Sequence, residues 1–550
     1  MDIAKTPKDL PIDIIYKIVG YIHTVEDETT LLELCQLNKP WREAALRKYL
    51  GKLMTGTLGY SSEALERYEW ISNITREMII SIDEHVEFDR EMKRNLDQLL
   101  NKKWTQARTL EFKMMSSMFQ WIPMRKKVAY AFSNISNLKI EVHNESVADL
   151  LCWVATLMPK VTSLAVGESP KDQAIEIIKD KLLIQTLTTT ARDRFKHLEF
   201  IGPYLKFRTL EVLGYSQARL ESLRLDTCVL EEFNMPEELQ AEKGKRAPQM
   251  VPSTHQQFPA LKSLNIGMLY SKKDVMDPID ITPDRFPSLI DIELCKLPAY
   301  QLNDTDGANF SQPTNPQFFE KLYNKLLNPS NIWANAEKLS IGIHKSQKDQ
   351  NLVMCFPNLR YLHIEYHQTA DQFFALMHQL ATQCPSLVYL EVHFYDSLRQ
   401  GTVCDDVLFS SALGLVSIPR QNATKSNSYR HSSLATPTYP LKTNWRNMQW
   451  LDLTFTLFST DVLHPLGQIE HLSFLGICLN NLQSILTLTL RPNSFSRLKG
   501  LKFQVNSEPT FNQAKGLLLL FPNLSSCEMW SQNIDQLRPQ LVNAFSHIKF

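Results

Sequence analysis

FPNLRYLHIEY (Phe356–Tyr366) and CPSLVYLEVHF (Cys384–Phe394) share one layout of apolar and polar letters, repeated after about 28 residues. Leu359, Leu362 and Ile364 of the first stretch match Leu387, Leu390 and Val392 of the second. Over the last six residues of each, aliphatic and polar letters alternate, which is the period of a strand with one buried face. A short lead-in, Phe-Pro or Cys-Pro, stands before the first leucine of each.

The pair belongs to a series. The pattern L-x-x-L-x-I/V/L/F recurs in RFKHLEFIG, ARLESLRLDT, FPALKSLNIG, FPSLIDIELC, NAEKLSIGIH, NMQWLDLTFT, QIEHLSFLGI, FSRLKGLKFQV and FPNLSSCEMW. Fainter copies lie around Leu110, Leu138 and Leu164. Between the two opening copies, ADQFFALMHQLATQC places Phe373, Phe374, Leu376, Met377 and Leu380 at helical spacing. A single L-x-x-L-x-L is an ordinary buried strand in many proteins, so the weight lies in the number of copies. Spacing runs from about 21 to about 60 residues, so the unit of one strand and one helix is irregular and predicts a solenoid with a parallel sheet.

This layout resembles the leucine-rich repeat in its irregular, long-repeat form. The resemblance implies an α/β solenoid with parallel strands on the concave face and helices on the convex face. The Asn or Cys that the family places after the strand is missing here, where Thr, Gly, Lys or His stands instead. Polar, proline-bearing stretches near 231–257, 298–317 and 417–447 read as excursions from the repeat. The solenoid is expected over 105–550, preceded by a helical linker or cap over 51–104.

Period-2 alternation also sorts the polar letters. In each unit the aliphatics point to the core, and the residues flanking the second aliphatic, with the one two further on, point to the concave face. Stacking the units aligns Asp291 and Glu293, Lys338 and Ser340, Tyr361, His363 and Glu365, Tyr389, Glu391 and His393, then Trp450 and Asp452. Such an acidic and aromatic surface suits a protein substrate with a basic or aromatic-contacting segment.

Residues 1–50 do not follow the repeat. Leu10-Pro11 precedes Ile14, Ile15, Ile18, Val19 and Ile22 at helical spacing, and the acidic turn VEDE interrupts the pattern. Leu31, Leu32, Leu34, Cys35 and Leu37 then resume it, and a third helix begins near Pro40-Trp41. Proline suits the first turn of a helix, and Asp27, Glu28 and Thr29 suit a helix start. Three helices of this length cannot bury every aliphatic face themselves, so part of the surface is expected to await a partner.

The segment resembles an F-box, through Leu10-Pro11, the Ile14, Ile15 and Ile18 ridge, the Leu31–Leu37 helix and the closing Trp41. An F-box followed by irregular repeats of the fungal type implies the substrate-recognition subunit of a Skp-cullin-F-box ubiquitin ligase. Leu10, Pro11, Ile14, Ile15, Ile18 and Leu34 would then contact the Skp-type adaptor and, through it, a cullin-RING ligase. Asp13 stands where Glu is commonest, and Asn38-Lys39-Pro40 replaces the usual basic lead-in to Trp41. The alternative is a repeat scaffold whose helices only cap the first turn, with no ligase role.

Composition narrows the remaining classes. Lys plus Arg and Asp plus Glu are each 59, which argues against nucleic acid or an anionic membrane surface as partner. No apolar run has secretory or membrane-spanning length, and the 9 cysteines form no CxxC pair, so reduced thiols in cytoplasm or nucleus are expected. No phosphate loop, HExxH or GxSxG is present, and neither an enzyme activity nor a cofactor is expected. His363, Glu365, Glu391 and His393 share one face of adjacent strands, but polar letters on a strand face are the norm, and the sequence reading assigns no metal.

Overall fold

The computed structural model describes residues 11–21, 33–34, 39–49, 52–55, 75–82, 90–114, 121–142, 147–167, 186–201, 204–206, 216–226, 228–231, 258–267, 269–271, 281–294, 322–343, 351–366, 369–394, 403–405, 408–409, 412, 445–490 and 493–550. They fall into two compact units, one holding most residues up to Leu261 and the other most residues beyond it. Leu10 and the excursion over 298–317 lie outside the described residues, as do the interiors of the other two excursions.

In the first unit, helix α1 (Ile12–Tyr21) and helix α2 (Lys39–Tyr49) precede the sheet. Ile15 and Val19 of α1 pack with Trp41, Ala44 and Ala45 of α2, and Tyr16 and Leu34 flank that cluster. The strands that follow are β1 (Lys52–Thr55), β2 (Glu77–Ile82), β3 (Thr109–Met114), β4 (Asn137–Val142), β5 (Ser163–Gly167), β6 (His197–Ile201), β7 (Tyr204–Lys206), β8 (Ser222–Asp226) and β9 (Cys228–Glu231). All pairing in this series is parallel, from β1-β2 through to β6-β8. A small parallel sheet of β7, β9 and β11 (Leu269–Ser271) lies beside it.

The sheet begins earlier than the sequence suggested. The stretch 51–104, expected to be helical, contains β1 and β2, with a helix over Arg90–Leu100 between β2 and β3. EMIISI of β2 buries Met78, Ile79 and Ile80 in succession. That run hides the alternation by which strands were recognised. Arg194 ties the Val147–Leu157 helix to the following turn. Its guanidinium donates to the carbonyls of Val154, Ala155 and Met158, at the end of the Val147–Leu157 helix, and its Nε donates to Val161. Burial lowers its pKa to about 10, which leaves the charge in place at neutral pH.

The second unit continues with β10 (Ser263–Ile266), β12 (Asp291–Leu294), β13 (Lys338–Ile343), β14 (Tyr361–Tyr366), β15 (Tyr389–Phe394), β16 (Trp450–Phe458), β17 (Phe474–Leu479), β18 (Gly500–Val505) and β19 (Ser526–Trp530). Each pairs in parallel with the next. Aliphatics at the second and fourth positions, such as Leu362 and Ile364 or Leu390 and Val392, are fully buried. The Ala370–Gln383 helix closes one turn by burying Phe373, Phe374, Leu376, Met377 and Leu380. At its start the Thr369 N–H donates to the Gln372 side chain at 3.2 Å. One parallel strand per turn, with an L-x-x-L-x-L core, is a leucine-rich-repeat type of α/β fold in both units.

A hydrogen-bond ladder in the lead-in joins turn to turn. The carbonyl of Glu337 accepts from Arg360 and Tyr361, that of Arg360 from Val388 and Tyr389, and that of Val388 from Gln449 and Trp450. The same double acceptance recurs from Arg76 to Lys499. Beside it, the asparagine just before the first aliphatic donates its amide N–H to a carbonyl of the preceding turn. Asn358 reaches Ala334 at 2.8 Å, Asn335 reaches Pro287 at 2.9 Å, Asn447 reaches Pro385 at 3.0 Å and Asn523 reaches Ser496 at 2.6 Å. The family's asparagine is thus absent after the strand while a different asparagine serves before it. Asn447 and buried Trp445 therefore belong to the β16 lead-in rather than to the excursion placed at 417–447. Replacement Asn358→Ala leaves the Ala334 carbonyl to water alone. It is expected to cost about 0.5–1.5 kcal/mol, read as a lower urea midpoint for the second unit.

Candidate surface on the strand face

The register turns the polar letters into rows. The first row runs Asp291, Lys338, Tyr361, Tyr389, Trp450, Phe474. The second runs Glu293, Ser340, His363, Glu391, Asp452, Gly476, Lys502. Glu365 and His393 face each other in a third. Every strand-face residue named from the sequence therefore lies in one of these rows. Phe474 and Lys502 occupy the same offsets in QIEHLSFLGI and FSRLKGLKFQV, so the period-2 rule reaches them too.

The first row is an aromatic stack. Tyr361 and Tyr389 lie 6.2 Å apart, Tyr389 and Trp450 5.4 Å, and Trp450 and Phe474 3.6 Å with their planes 7° apart. Lys338 Nζ sits 5.6 Å from the Tyr361 ring centre and 3.6 Å from Asp291 Oδ2.

The second and third rows are more enclosed than an outward strand face would suggest. Asp452 is 4% exposed and Glu365 5%. Asp452 accepts from the Thr454 N–H at 3.0 Å and from its hydroxyl, and Lys502 Nζ lies 3.4 Å away. Glu391 accepts from three neighbours: Tyr389 Oη at 2.8 Å, His363 Nδ1 at 3.0 Å and His393 Nε2 at 2.9 Å. Burial alone would raise the Glu391 pKa, but the bonds from His363 and His393 outweigh it and hold the carboxyl well below the usual range. Burial, with the bond to Glu391, pushes the Tyr389 phenol above its ordinary value.

Glycine makes this crowding fit. Gly476 stands opposite Asp452, and a Cβ there would collide with the Asp452 carboxylate. At Gly500 an added Cβ would stand 2.8 Å from Phe474 Cδ2, displacing the ring that stacks on Trp450.

The adaptor positions separate differently. Pro11, Ile14 and Ile18 are exposed, Ile15 is fully buried, and Leu34 is half-buried against the α1–α2 cluster. Ile12 and Tyr21 extend the exposed side of α1.

A hollow of about 860 Å³ runs along the edge where the strands of the second unit begin. Its asparagines Asn335, Asn358 and Asn447 already donate to backbone carbonyls, and Arg360 pairs with Glu337 at 3.7 Å. Its polar lining thus serves the ladder. Cys152, Cys355, Cys384, Cys404, Cys478 and Cys527 are buried, and burial raises the Cys355 and Cys384 thiols to about 11 and those of Cys478 and Cys527 to about 12. None of those four is a ready nucleophile at neutral pH. No helix among the described residues is long and apolar enough to cross a membrane.

No family model and no curated protein matches the chain. Among solved structures, an internalin from Listeria monocytogenes is similar over 86% of this chain and 93% of its own, at 9% identity and a TM-score of 0.34. So loose a superposition carries no argument about function, and the repeat assignment rests on the strand register above.

Substituting Gly476→Ala should force the Asp452 carboxylate away from Thr454 and Lys502. A loss of about 1–3 kcal/mol is expected in equilibrium urea unfolding.

Proposed function

We propose that the chain is a substrate-recognition subunit of a Skp-cullin-F-box type ubiquitin ligase. The observation that carries this reading is the two-sided α1 helix. Ile15 and Val19 bury themselves against α2, while Ile12, Ile14, Ile18 and Tyr21 remain 47%, 43%, 39% and 91% exposed. An apolar face of this kind, left open next to a packed one, suits docking to a partner, and it coincides with the F-box resemblance of the same residues. Pro11, Ile14 and Ile18 supply the adaptor contacts in this reading, with Leu10 preceding them in sequence. Ile15 orients the helix from within.

The strand face of the second unit would hold the protein substrate. Its aromatic row offers rigid contact area, with Tyr361 at its open end. A segment with an aromatic ring or a Lys or Arg side chain fits that row through stacking or cation–π contact. The chain needs no chemistry of its own. Docking both partners raises the effective concentration of a substrate lysine near the ubiquitin carrier.

Two experiments test the two halves. Ile14→Asp with Ile18→Asp in the full chain is expected to abolish co-purification with a Skp-type adaptor while leaving circular dichroism unchanged. Retained association would favour the scaffold with a helical cap. Tyr361→Ala with Tyr389→Ala is expected to weaken capture of substrate by at least about tenfold, measured with a variant lacking the F-box segment so that bound substrate is not degraded.

A further inference from the structure

His363 of β14 and Glu391 and His393 of β15 form a cluster that neither the repeat nor the ligase reading requires. Parallel pairing sets His363 opposite Glu391 and Glu365 opposite His393. The donor atoms of the three all lie within 4.8 Å of one another. Both imidazoles are 13% exposed and the Glu391 side chain 22%, so the group is largely withdrawn from water but still reachable from the strand face. The two rings stand 4.8 Å apart at 76° to each other, and the Phe455 ring braces His393 at 4.2 Å.

We propose that His363, Glu391 and His393 bind a divalent transition-metal ion, of which zinc is the type, through His363 Nδ1, His393 Nε2 and a carboxylate oxygen of Glu391. Ligands of one such ion stand about 3–4 Å apart, with metal–donor distances of about 2.0–2.2 Å. His363 Nδ1 and His393 Nε2 already lie 3.0 Å and 2.9 Å from opposite oxygens of Glu391. Small side-chain rotations therefore suffice to open room for the ion. Two imidazoles with one carboxylate select zinc, cobalt, nickel or iron over calcium or magnesium, which prefer all-oxygen sites. Three protein ligands leave a coordination position open toward the strand face.

The surroundings favour a bound cation. Tyr389 Oη donates to Glu391 Oε2 at 2.8 Å, an outer bond of the sort that orients a ligating carboxylate. Glu365, almost wholly buried, stands directly opposite His393 on the neighbouring strand. Strand pairing fixes all three backbone positions, so the site needs no loop to close over it.

The test uses the full chain stripped of metal by a chelator and needs neither adaptor nor substrate, so its result is independent of the ligase reading. Calorimetric titration with Zn²⁺ is expected to show one tight site. His363→Ala and His393→Ala should each weaken that site by at least about tenfold, Glu391→Gln should do likewise, and exposed His547→Ala should leave it unchanged. Loading with Co²⁺ should give the visible absorption of a low-coordinate ion in the wild-type chain and not in Glu391→Gln. If an alanine variant fails to fold, the nearly isosteric Glu391→Gln decides. Absence of Zn²⁺ binding by the wild-type chain overturns the proposal, as does an unchanged affinity in His363→Ala/His393→Ala.

Discussion

One carbonyl per turn, accepting two N–H groups from the next turn, governs this molecule. Glu337 bonded by Arg360 and Tyr361 is one instance, and Lys499 bonded by Ser525 and Ser526 is another. Because the two donors are the last residue of the lead-in and the first of the strand, the bond sets the strand's starting residue as well as its neighbour. A one-residue slip would turn every aliphatic outward and every strand-face letter inward. Buried lead-in rings reinforce the same point from the core side, as where Trp333 and Phe356 lie parallel at 6.2 Å. The asparagine amides close carbonyls that the lead-in turns would otherwise leave open.

Once register is fixed in this way, the strand face can vary without cost to the fold. The buried setting of Asp452 depends on such variation, because only glycine at 476 leaves room for a carboxylate on the neighbouring strand. The Trp450–Phe474 stack likewise depends on Gly500. Large letters on one strand are accommodated by missing ones on the next, a relation between units that lie distant in sequence and adjacent in space.

That relation explains how much could be read from the sequence. Strand positions in the second unit were legible because Leu362 and Ile364 alternate with period 2 behind Leu359 and a Phe-Pro lead-in marks where to begin. The rows followed from the same period. In the first unit β1 and β2 escaped notice because Met78, Ile79 and Ile80 run together and carry no lead-in. The cluster of His363, Glu391 and His393 could be placed on one face but not judged further, since alternation says which side a residue faces and nothing of how deeply its neighbours enclose it. On α1, helical spacing grouped Ile14, Ile15 and Ile18, whereas packing against Trp41 divides them between inside and outside.

Enclosure also changes the chemistry that the strand face offers. Counted as letters, the surface is acidic. In space, Glu391 is engaged by Tyr389 and two imidazoles, Asp452 by Thr454 and Lys502, Asp291 by Lys338, and Glu293 by the Asn265 amide. Carboxylates already hydrogen-bonded in a partly desolvated setting gain little from a further cation unless it displaces a present partner. Rings carry no such prior commitment. Tyr361 and Trp530 remain 36% and 45% exposed, each with a lysine over its face, and at Tyr361 an arriving segment can replace Lys338, whose partner Asp291 is itself open to solvent. On the binding face proposed above, the rings are thus the groups open to new contact, while the carboxylates hold the wall in shape.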